Sequence, residues 1–373
     1  MTRLLGVGII GCGNISAAYL QLAPMFKGYK ILSVADINMD NATARAKEFG
    51  VRAETVEQLL QANDIDLVIN LTIPAAHVEV SRKILEVGKH VYSEKPFVLS
   101  LAEAQELGAV AKANNVRIGS APDTFMGASH QLARNLVDNG VIGDITSGTA
   151  VVMSPGMEGW HPNPDFFFLN GGGPILDLGP YYICTLVQIL GPVKKVTSFT
   201  NSASMKRTIS NGPRNGEIIP VETPTTIHSL LCFENGAIIT LLASWDVWAT
   251  THPIMELYGS KGTMNVPDPN FFGGSVTVTE RSNDPVEKTW DHPFAIPNFE
   301  ETKANYRGAG LADMALSISA NIPHRCNEAF ATHVVEVMTA IIEAGETQEV
   351  MTMTTTCERP DALNPDQARA LLV

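Results

Sequence analysis

The N-terminal third of the sequence alternates between short apolar runs and helix-like stretches, and this alternation limits the fold more than any other feature. The apolar runs have the length of strands and contain few polar residues, which is typical of strands that are buried on both faces. They fall at residues 4–10, 30–35, 66–70, 89–92 and 116–119. Strands that alternate with helices form a parallel sheet covered by helices. We therefore predict an α/β fold with an N-terminal domain, residues 1–122, built on a doubly wound parallel sheet.

A glycine turn follows the first predicted strand. Gly11-x-Gly13-x-x-Ser16 lies where that strand passes into a helix-like stretch. At such a place the first glycine allows a tight turn, and the second lets backbone N–H groups approach a pyrophosphate. Another frame, Gly6-x-Gly8-x-x-Gly11, lies inside the strand, where glycines have no phosphate to approach. The sequence therefore predicts a dinucleotide site at the second frame, formed by Gly11, Gly13, Asn14 and Ile15.

Asp36 ends the second predicted strand, about 20 residues beyond the glycine turn. A carboxylate at this place can accept hydrogen bonds from the hydroxyls of an adenosine ribose, and it would repel a 2′-phosphate. The other interpretation is that Asp36 caps the helix predicted at residues 38–49. We predict that Asp36 binds the cofactor, which favours NAD over NADP.

Two more loops follow predicted strands, Thr72-Ile73-Pro74 and Glu94-Lys95-Pro96. Ligands of doubly wound sheets lie at the carboxyl ends of the strands, so these loops and the glycine turn should line one crevice. The proline ring restricts the residue before it, which holds Lys95 on a stiff backbone beside a carboxylate. Lys95 is thus a candidate acid/base group, although most exposed Glu-Lys pairs are solvated surface. The expected cofactor contacts in these loops are Thr72, Ile73, Pro74, Glu94 and Lys95.

The second part of the sequence does not continue the alternation of strands and helices. Strand-like stretches dominate it, at residues 145–153, 193–200, 225–233, 237–245, 253–258 and 275–279. Helices are expected at residues 129–139 and 328–343, and near the C-terminus, while the polar residues 201–217 indicate a long loop. We predict an α+β domain, residues 123–373, with a large, mostly antiparallel sheet.

A glycine-rich segment, residues 171–182, runs into an apolar helix and carries candidate substrate contacts. If Asp177 begins that helix, then Asp177 and Tyr181 lie on one face as i,i+4 neighbours. A carboxylate and a phenol at one helix start suit a hydroxylated substrate, whereas Tyr182 points about 100° away and should pack. The aromatic residues 155–168 before it form either a packed surface loop or a lid. His161 in this stretch is a candidate substrate contact, or else a structural hydrogen bonder.

Composition limits the partners. The 26 basic and 39 acidic residues give a net charge of −13, which argues against binding to nucleic acid or to an acidic membrane. The sequence contains no apolar run long enough to span a membrane. Its five scattered cysteines have no metal-type spacing, so we predict free thiols, no metal site and a cytoplasmic location.

In their order along the chain, these motifs resemble the glucose–fructose oxidoreductase/inositol dehydrogenase (Gfo/Idh/MocA) family. The resemblance implies an N-terminal Rossmann domain that binds NAD(P) and a C-terminal domain whose open sheet faces a partner subunit. A homodimer or homotetramer is therefore expected. The resemblance also implies hydride transfer between nicotinamide and a carbon of a sugar, cyclitol or related polyol.

The resemblance assigns roles to individual residues. Lys95 matches the catalytic lysine of the family, Asp177 its substrate-binding aspartate, and His77 a histidine near the nicotinamide end. Tyr181 stands where many members, including inositol dehydrogenases, carry a catalytic histidine. Tyrosine occupies that place in the glucose–fructose oxidoreductase and dihydrodiol dehydrogenase branches, as a proposed proton donor. The difference counts against inositol dehydrogenase activity.

The chemistry leaves two candidates for proton transfer. Lysine and tyrosine both hold their protons at neutral pH, and a neighbouring cation makes either of them more acidic. We hypothesise that Lys95 and Tyr181 form a coupled proton-transfer unit and that Asp177 orients substrate hydroxyls, with His161 as a further substrate contact. Two other functions stay open at this point. One is an NAD-dependent glycosidase that uses transient oxidation, and the other is a non-catalytic nucleotide-binding protein.

Overall fold

A computed structural model describes residues 4–281, 283–300 and 302–373 of the chain. The chain forms two compact units. Unit 1 consists of Met1–Ala128, Asp291–Val335 and Pro360–Val373, and unit 2 of Ser129–Trp290 and Glu336–Arg359. Unit 1 therefore includes two segments from the C-terminal part of the sequence. The domain boundary between residues 122 and 123 stays a prediction.

Unit 1 is built on a parallel sheet with helices between consecutive strands. The strands are β1 (Leu5–Ile10), β2 (Tyr29–Ala35), β3 (Arg52–Glu54), β4 (Leu67–Asn70), β5 (His90–Ser93) and β6 (Ile118–Ser120). The helices are α1 (Asn14–Leu22), α2 (Met39–Phe49), α3 (Val56–Gln61), α4 (His77–Glu86) and α5 (Leu101–Ala113). All pairs are parallel, in the order β3-β2-β1-β4-β5-β6. The order reverses between β1 and β4, where doubly wound sheets bind ligands at the carboxyl ends of the strands.

The central strands of this sheet are apolar because both of their faces are buried. All six residues of β1 and all four of β4 are buried, which explains why these strands show no polar alternation in the sequence. Side chains that bind backbone N–H groups begin the surrounding helices: Asn38 caps α2, Thr55 caps α3 and Ser100 caps α5. The predicted doubly wound parallel sheet is confirmed. The sequence prediction omitted β3 and α3, which are short and largely exposed.

Unit 2 is built on a large mixed sheet and a long buried helix. Its elements are α6 (Ala128–Asp138), β7 (Ile145–Met153), α7 (Asp165–Phe168), α8 (Pro174–Leu190), β8 (Val193–Asn201), β9 (Lys206–Thr208), β10 (Ile218–Pro220), β11 (Thr226–Phe233), β12 (Ile238–Ser244), β13 (Met255–Gly259), β14 (Gly262–Val266), β15 (Val276–Glu280) and β16 (Val286–Lys288). The later elements of the chain are α9 (Ala309–Ala320), α10 (Glu328–Thr347), β17 (Met351–Thr352) and α11 (Pro365–Leu371).

The large sheet has nine strands in the order β16-β15-β14-β13-β7-β12-β11-β8-β17. Its pairs are antiparallel except β7 with β12. Residues of β11 alternate between buried and exposed, and α8 contacts β7, β11 and β12. One face of the sheet is therefore covered by α8. The predicted large, mostly antiparallel sheet is confirmed.

One prediction for unit 2 was wrong. Residues 201–217, expected as a long loop, contain β9, which pairs with β10 in a two-stranded sheet. Each strand has only three residues, and β9 is polar as well, so periodicity does not reveal them. Ile219 of β10 and the neighbouring Ile209 and Val221 pack with Phe168 and Trp245 in a small core. No helix in the described part of the chain is long and apolar enough to cross a membrane.

Candidate active site

The glycine turn of unit 1 leads directly into helix α1 and leaves open space in front of it. Gly11 has a φ of +103°, and a Cβ there would lie 2.6 Å from the backbone of Leu71, so only glycine fits. A Cβ at Gly13 would meet nothing within 4 Å, which leaves open space in front of the turn. Helix α1 begins directly after Gly13 without a side-chain cap, so its first N–H groups can face an anion. Ser16 is buried and donates to the carbonyl of Gly13 at 2.6 Å, as a small packing residue should.

Asp36 lies at the end of β2 with its carboxylate turned to the glycine turn. One oxygen accepts the backbone N–H of Cys12 at 2.7 Å, and the other accepts that of Asn38 at 2.8 Å. The cap of α2 is Asn38, whose side chain accepts the N–H of Asp40. Asp36 is therefore not the helix cap. Its carboxylate is held half-buried beside the turn, and its oxygens suit a pair of ribose hydroxyls.

The loop after β4 is organised by Asn70, a buried residue that the sequence did not single out. Its Oδ1 accepts the N–H and the hydroxyl of Thr72, at 3.2 and 2.7 Å, and its Nδ2 donates to the carbonyl of His77. The ring nitrogens of His77 contact the carbonyls of Thr72, at 3.0 Å, and Pro96, at 2.8 Å. Burial lowers the pKa of His77 despite these carbonyls. His77 thus joins the two predicted cofactor loops. Ile73, in the first of these loops, is 70% exposed.

Lys95 follows β5 and is partly buried, between the buried residues Glu94 and Pro96. Its backbone N–H donates to the carboxylate of Glu94 at 2.9 Å. Burial acts to raise the pKa of Glu94, but the charges of Arg307 and Lys95, with hydrogen bonds from the Lys95 backbone and Tyr19, hold that pKa below its usual range. Glu94 is therefore an ionised carboxylate that faces inward, and this explains why the motif carries an acid beside the lysine.

Unit 2 holds the predicted substrate residues on or near α8. Helix α8 begins at Pro174, so Asp177 lies in its first turn, where the helix dipole favours a carboxylate. Tyr181 is one turn further and is only 4% exposed. Tyr182 packs as predicted, and its hydroxyl donates to Asp268 at 3.2 Å. Pro180 lies between them and has no N–H to donate to the carbonyl of Leu176, so α8 lacks one helical hydrogen bond there.

The glycines before α8 allow close contact with α7. A Cβ at Gly172 would lie 2.5 Å from the carbonyl oxygens of Phe166 and Phe167, and the N–H of Gly173 donates to Phe167 at 2.8 Å. A larger residue at Gly172 would push α7 away from the start of α8. The glycine-rich segment therefore has a packing role that fixes the position of Asp177.

His161 lies in a cluster of aromatic rings. Its ring packs edge-on against Trp160, Phe166 and Phe167, with centroid distances of 5.2 to 5.6 Å. Its Nδ1 accepts the N–H of Asn163 at 3.1 Å. The end of the surrounding stretch is packed, because Phe168 is fully buried. Two other rings of the stretch are accessible, since Trp160 is 64% and Phe166 52% exposed.

Several charged or polar residues around Lys95 were missed by sequence reasoning. They are Tyr19, Asn70, Asp123 and Arg307. Asn70 could have been noticed as a polar residue that ends an apolar strand. The others are distant in sequence, and no local pattern marks them. Across residues 4–281, 283–300 and 302–373, no group of three His, Cys, Asp or Glu side chains is arranged to hold a metal ion.

Two family models match the chain and together cover more than half of it. Residues 5–121 match a model described as an oxidoreductase family with an NAD-binding Rossmann fold. Residues 130–265 match a model described as the GFO/IDH/MocA C-terminal domain. The two matches fall on the parallel sheet and on the large mixed sheet.

Curated and solved proteins agree with these matches. "Oxidoreductase P35" of Formosa agariphila is 27% identical over 287 residues, which are 73% of this chain and 81% of the relative. A 1,5-anhydro-D-fructose reductase of Ensifer adhaerens is 28% identical over 218 residues, 56% of this chain and 64% of the relative. The structure of a levoglucosan dehydrogenase in complex with NADH is similar in fold, with a TM-score of 0.80, 20% identity, and coverage of 95% of this chain and 100% of that one.

Proposed function

Because the chain belongs to the Gfo/Idh/MocA family of NAD-binding oxidoreductases, we propose that it transfers a hydride between nicotinamide and a carbinol carbon of a sugar, cyclitol or related polyol. One observation carries the proposal: unit 1 joins the glycine turn to the lysine loop through direct contacts. Gly11 packs against the chain that leads to Thr72, and His77 bridges the carbonyls of Thr72 and Pro96. Lys95 is thus fixed relative to the cofactor loops. The sugar-reductase names of several relatives support the substrate class.

The chain's own residues supply the proton chemistry. When bound, the nicotinamide ring accepts or supplies the hydride. Oxidation of an alcohol carbon also releases a hydroxyl proton, and we assign its transfer to Lys95 and Tyr181 as one coupled unit. Asp177 accepts hydrogen bonds from other substrate hydroxyls and so orients the reacting carbon. In the direction of reduction, Lys95 and Tyr181 return the proton to the oxygen. His161 is a further substrate contact in this proposal.

We also propose that NAD is preferred over NADP. The carboxylate of Asp36 is anchored by two backbone N–H groups, so it cannot turn away from a ribose 2′-position without losing both bonds. A 2′-phosphate would meet this negative charge. Arg45, a cation at the turn, pairs with Glu48 at 2.7 Å and donates to the carbonyl of Gly13 at 3.3 Å.

We propose that a second copy of the chain covers the open face of the nine-stranded sheet. Three large hydrophobic residues are exposed on neighbouring strands: Phe199 on β8, Leu230 on β11 and Ile238 on β12. The register pairs His228 with Phe199 and Cys232 with Ile238, so these side chains share one face with Leu230. Apolar area of this kind marks interaction surfaces. A Leu230→Asp variant that stays dimeric in light scattering would argue against this interface.

A cytoplasmic location is part of the same proposal. Cys12, Cys184, Cys232, Cys326 and Cys357 are all free thiols in the structure. Free thiols persist where the cell keeps cysteines reduced. Fractionation of cells that express the protein at natural levels would test the location.

The test of the reaction is an absorbance screen for NADH over sugars, cyclitols and sugar acids. We expect NAD reduction with at least one polyol, and weaker or no reduction of NADP. A parallel screen with aryl glycosides, without added NAD, distinguishes the glycosidase function, because a dehydrogenase releases no aglycone. Release of aglycone without net NADH would replace the proposal by hydrolysis. Binding of NAD without turnover on any substrate would favour a nucleotide-binding protein.

A further inference from the structure

Arg307 forms a buried ion pair with Glu94, the residue before Lys95. The distance between Nη1 of Arg307 and Oε1 of Glu94 is 2.8 Å, and the two side chains are only 16% and 9% exposed. Arg307 lies just before α9, in the segment of unit 1 that comes from the C-terminal part of the chain. Loss of one partner of such a pair leaves an uncompensated charge in the interior. The pair is therefore an integral part of the surroundings of Lys95.

The carboxylate of Glu94 connects Arg307 to the backbone of Lys95. Its Oε1 accepts from Arg307 and from the hydroxyl of Tyr19, at 3.0 Å. Its Oε2 accepts the backbone N–H of Lys95 at 2.9 Å. Hydrogen bonds to an ionised carboxylate are about twice as strong as neutral ones. Both oxygens are thus committed, and a displacement of the carboxylate would displace Lys95.

Arg307 is itself fixed, so it can act as an anchor. Its guanidinium lies over the ring of Tyr19, 5.9 Å from the ring centre, and its backbone N–H donates to Asn305. The next residues are held by Asp123, whose carboxylate accepts the N–H groups of Gly308 and Gly310 at 2.8 and 3.0 Å. Burial raises the pKa of Asp123, with Arg307 and these N–H groups acting in the opposite direction. Arg307 thus acts on two buried carboxylates, Glu94 and Asp123, from a segment held by backbone hydrogen bonds.

We propose that Arg307 is a positioning residue for Lys95, which it holds in its working place through the ionised carboxylate of Glu94. The catalytic consequence rests on the proposed function, in which Lys95 transfers a proton. The geometric and electrostatic consequence does not depend on it. Both can be measured separately.

Removal of Arg307 should change how strongly Lys95 holds its proton. Without the guanidinium, the charge of Glu94 beside Lys95 loses its cationic partner. At the pH where a lysine titrates, Glu94 is ionised even if burial weakens its acidity. The local balance of charge becomes more negative, which favours the ammonium form. Lys95 should therefore keep its proton to a higher pH in an Arg307→Met variant.

The first test is an NMR titration of Lys95 that needs no substrate. Lysines are labelled by reductive methylation with ¹³C-formaldehyde, and the Lys95 signal is assigned with a Lys95→Arg variant. We expect its midpoint to move upward by about 0.5 to 1 pH unit in Arg307→Met. The matched control is Arg325→Met, which removes a partly buried arginine from its ion pair with Asp313 in the same unit. An equal midpoint in both variants and in the wild type would overturn the proposal.

The second test is the pH profile of kcat/KM with a polyol found in the screen. We expect kcat/KM to fall roughly 100-fold in Arg307→Met, because a small displacement of a reacting group has that effect. We expect its alkaline rise to shift with the NMR midpoint. The Arg325→Met control should lose thermal stability but keep the profile. A profile of Arg307→Met that matches this control would contradict the positioning role.

Arg307→Lys guards against a variant that does not fold. It keeps the charge but cannot reproduce the planar guanidinium over Tyr19. We expect a smaller fall in kcat/KM, about tenfold, because the planar group is lost. Since the charge is retained, the Lys95 midpoint should lie within about 0.3 pH unit of wild type. Wild-type kcat/KM in Arg307→Lys would overturn the geometric part. If no polyol is oxidised, the proposed reaction fails, and the NMR titration still decides the coupling of Arg307 to Lys95.

Discussion

The carboxylate of Asp36 accepts the backbone N–H of Cys12 at 2.7 Å. Cys12 is the middle residue of the glycine turn, so this bond joins the group that would bind the ribose to the loop that would bind the pyrophosphate. The two parts of the proposed dinucleotide site are therefore fixed relative to each other. Such preorganisation reduces the entropy that binding must overcome.

Asp36→Asn should change the cofactor preference. The amide keeps one oxygen acceptor but loses the charge, so NAD affinity should fall roughly tenfold and the preference over NADP should narrow. Calorimetric titrations with NADH and with NADPH give both dissociation constants. Asp66→Asn is the matched control, because Asp66 accepts the N–H of Gly6 at 2.9 Å in the same sheet. An unchanged ratio of the two constants in Asp36→Asn would show that Asp36 has no part in cofactor choice.

Gly13→Ala and Gly11→Ala should separate binding from folding. A Cβ at position 13 would have free space, and the backbone there has an ordinary φ of −68°. Gly13→Ala should therefore fold with nearly wild-type stability. Its methyl group would occupy the path of the pyrophosphate, and NADH affinity should fall at least tenfold, or about 1.4 kcal/mol. Gly11→Ala should instead lose stability, by about 1 to 3 kcal/mol, because of its positive φ and its contact with Leu71. Denaturant unfolding and NADH titration of both variants check this. Wild-type NADH affinity in Gly13→Ala would place the pyrophosphate elsewhere.

Tyr181→Phe and Tyr182→Phe should affect different properties. If Tyr181 transfers a proton, its variant should lose about 100-fold or more in kcat with little change in KM. Tyr182 donates to Asp268, so its variant should lose about 1 kcal/mol of stability and keep kcat within a factor of two. Steady-state kinetics and thermal unfolding distinguish the two. Full activity in Tyr181→Phe would reduce this phenol to a packing or positioning role.

Buried histidines should make the protein sensitive to acid. His130 is fully buried, its Nε2 contacts the carbonyl of Phe271 at 2.8 Å, and burial lowers its pKa from 6.5 to about 4. Between pH 6.5 and 4 the unfolded chain therefore binds a proton that the folded chain does not, so stability falls as the pH falls through this range. The contribution of His130 is about 3 kcal/mol at most. His292 and His324 act in the same direction.

His130→Gln tests this dependence. The amide can still reach the carbonyl of Phe271 but takes up no proton, so the slope of unfolding free energy between pH 6.5 and 4 should become smaller. Urea unfolding at several pH values measures it. His252→Gln, a change at an exposed histidine, is the control. Equal slopes in His130→Gln and wild type would contradict the linkage.

Sequence reasoning predicted the layout of the chain well where local patterns exist. Strands β1 and β4 are buried on both faces, so their apolar runs identify them, and the glycine turn also marks the end of β1. The alternation of β11 identifies a sheet with one covered face. The prediction of an NAD(P)-dependent oxidoreductase of the Gfo/Idh/MocA family is confirmed by the family models. Short polar elements such as β3 and β9 carry no such pattern and were missed.

The site was predicted only in part, for a physical reason. The carboxyl ends of strands in one parallel sheet lie at one edge, so the glycine turn and the loops of Thr72 and Lys95 could be grouped from the sequence. Arg307 lies 213 positions after Glu94 and contacts it because the segment Asp291–Val335 folds back into unit 1. That contact depends on the folded path of the whole chain, and no local spacing encodes it.

The most direct test of the account compares Lys95→Met with wild type in one NADH-absorbance assay, on the best polyol from the screen, with NADH binding measured in parallel. Lys83→Met, at an exposed lysine paired with Glu79, is the control. We expect Lys95→Met to lose activity at least 1,000-fold, roughly the contribution of a general acid/base group, and to keep its NADH dissociation constant within about threefold. Lys83→Met should match wild type in both. Turnover by Lys95→Met at a rate close to that of Lys83→Met would contradict the proposal that Lys95 transfers the proton.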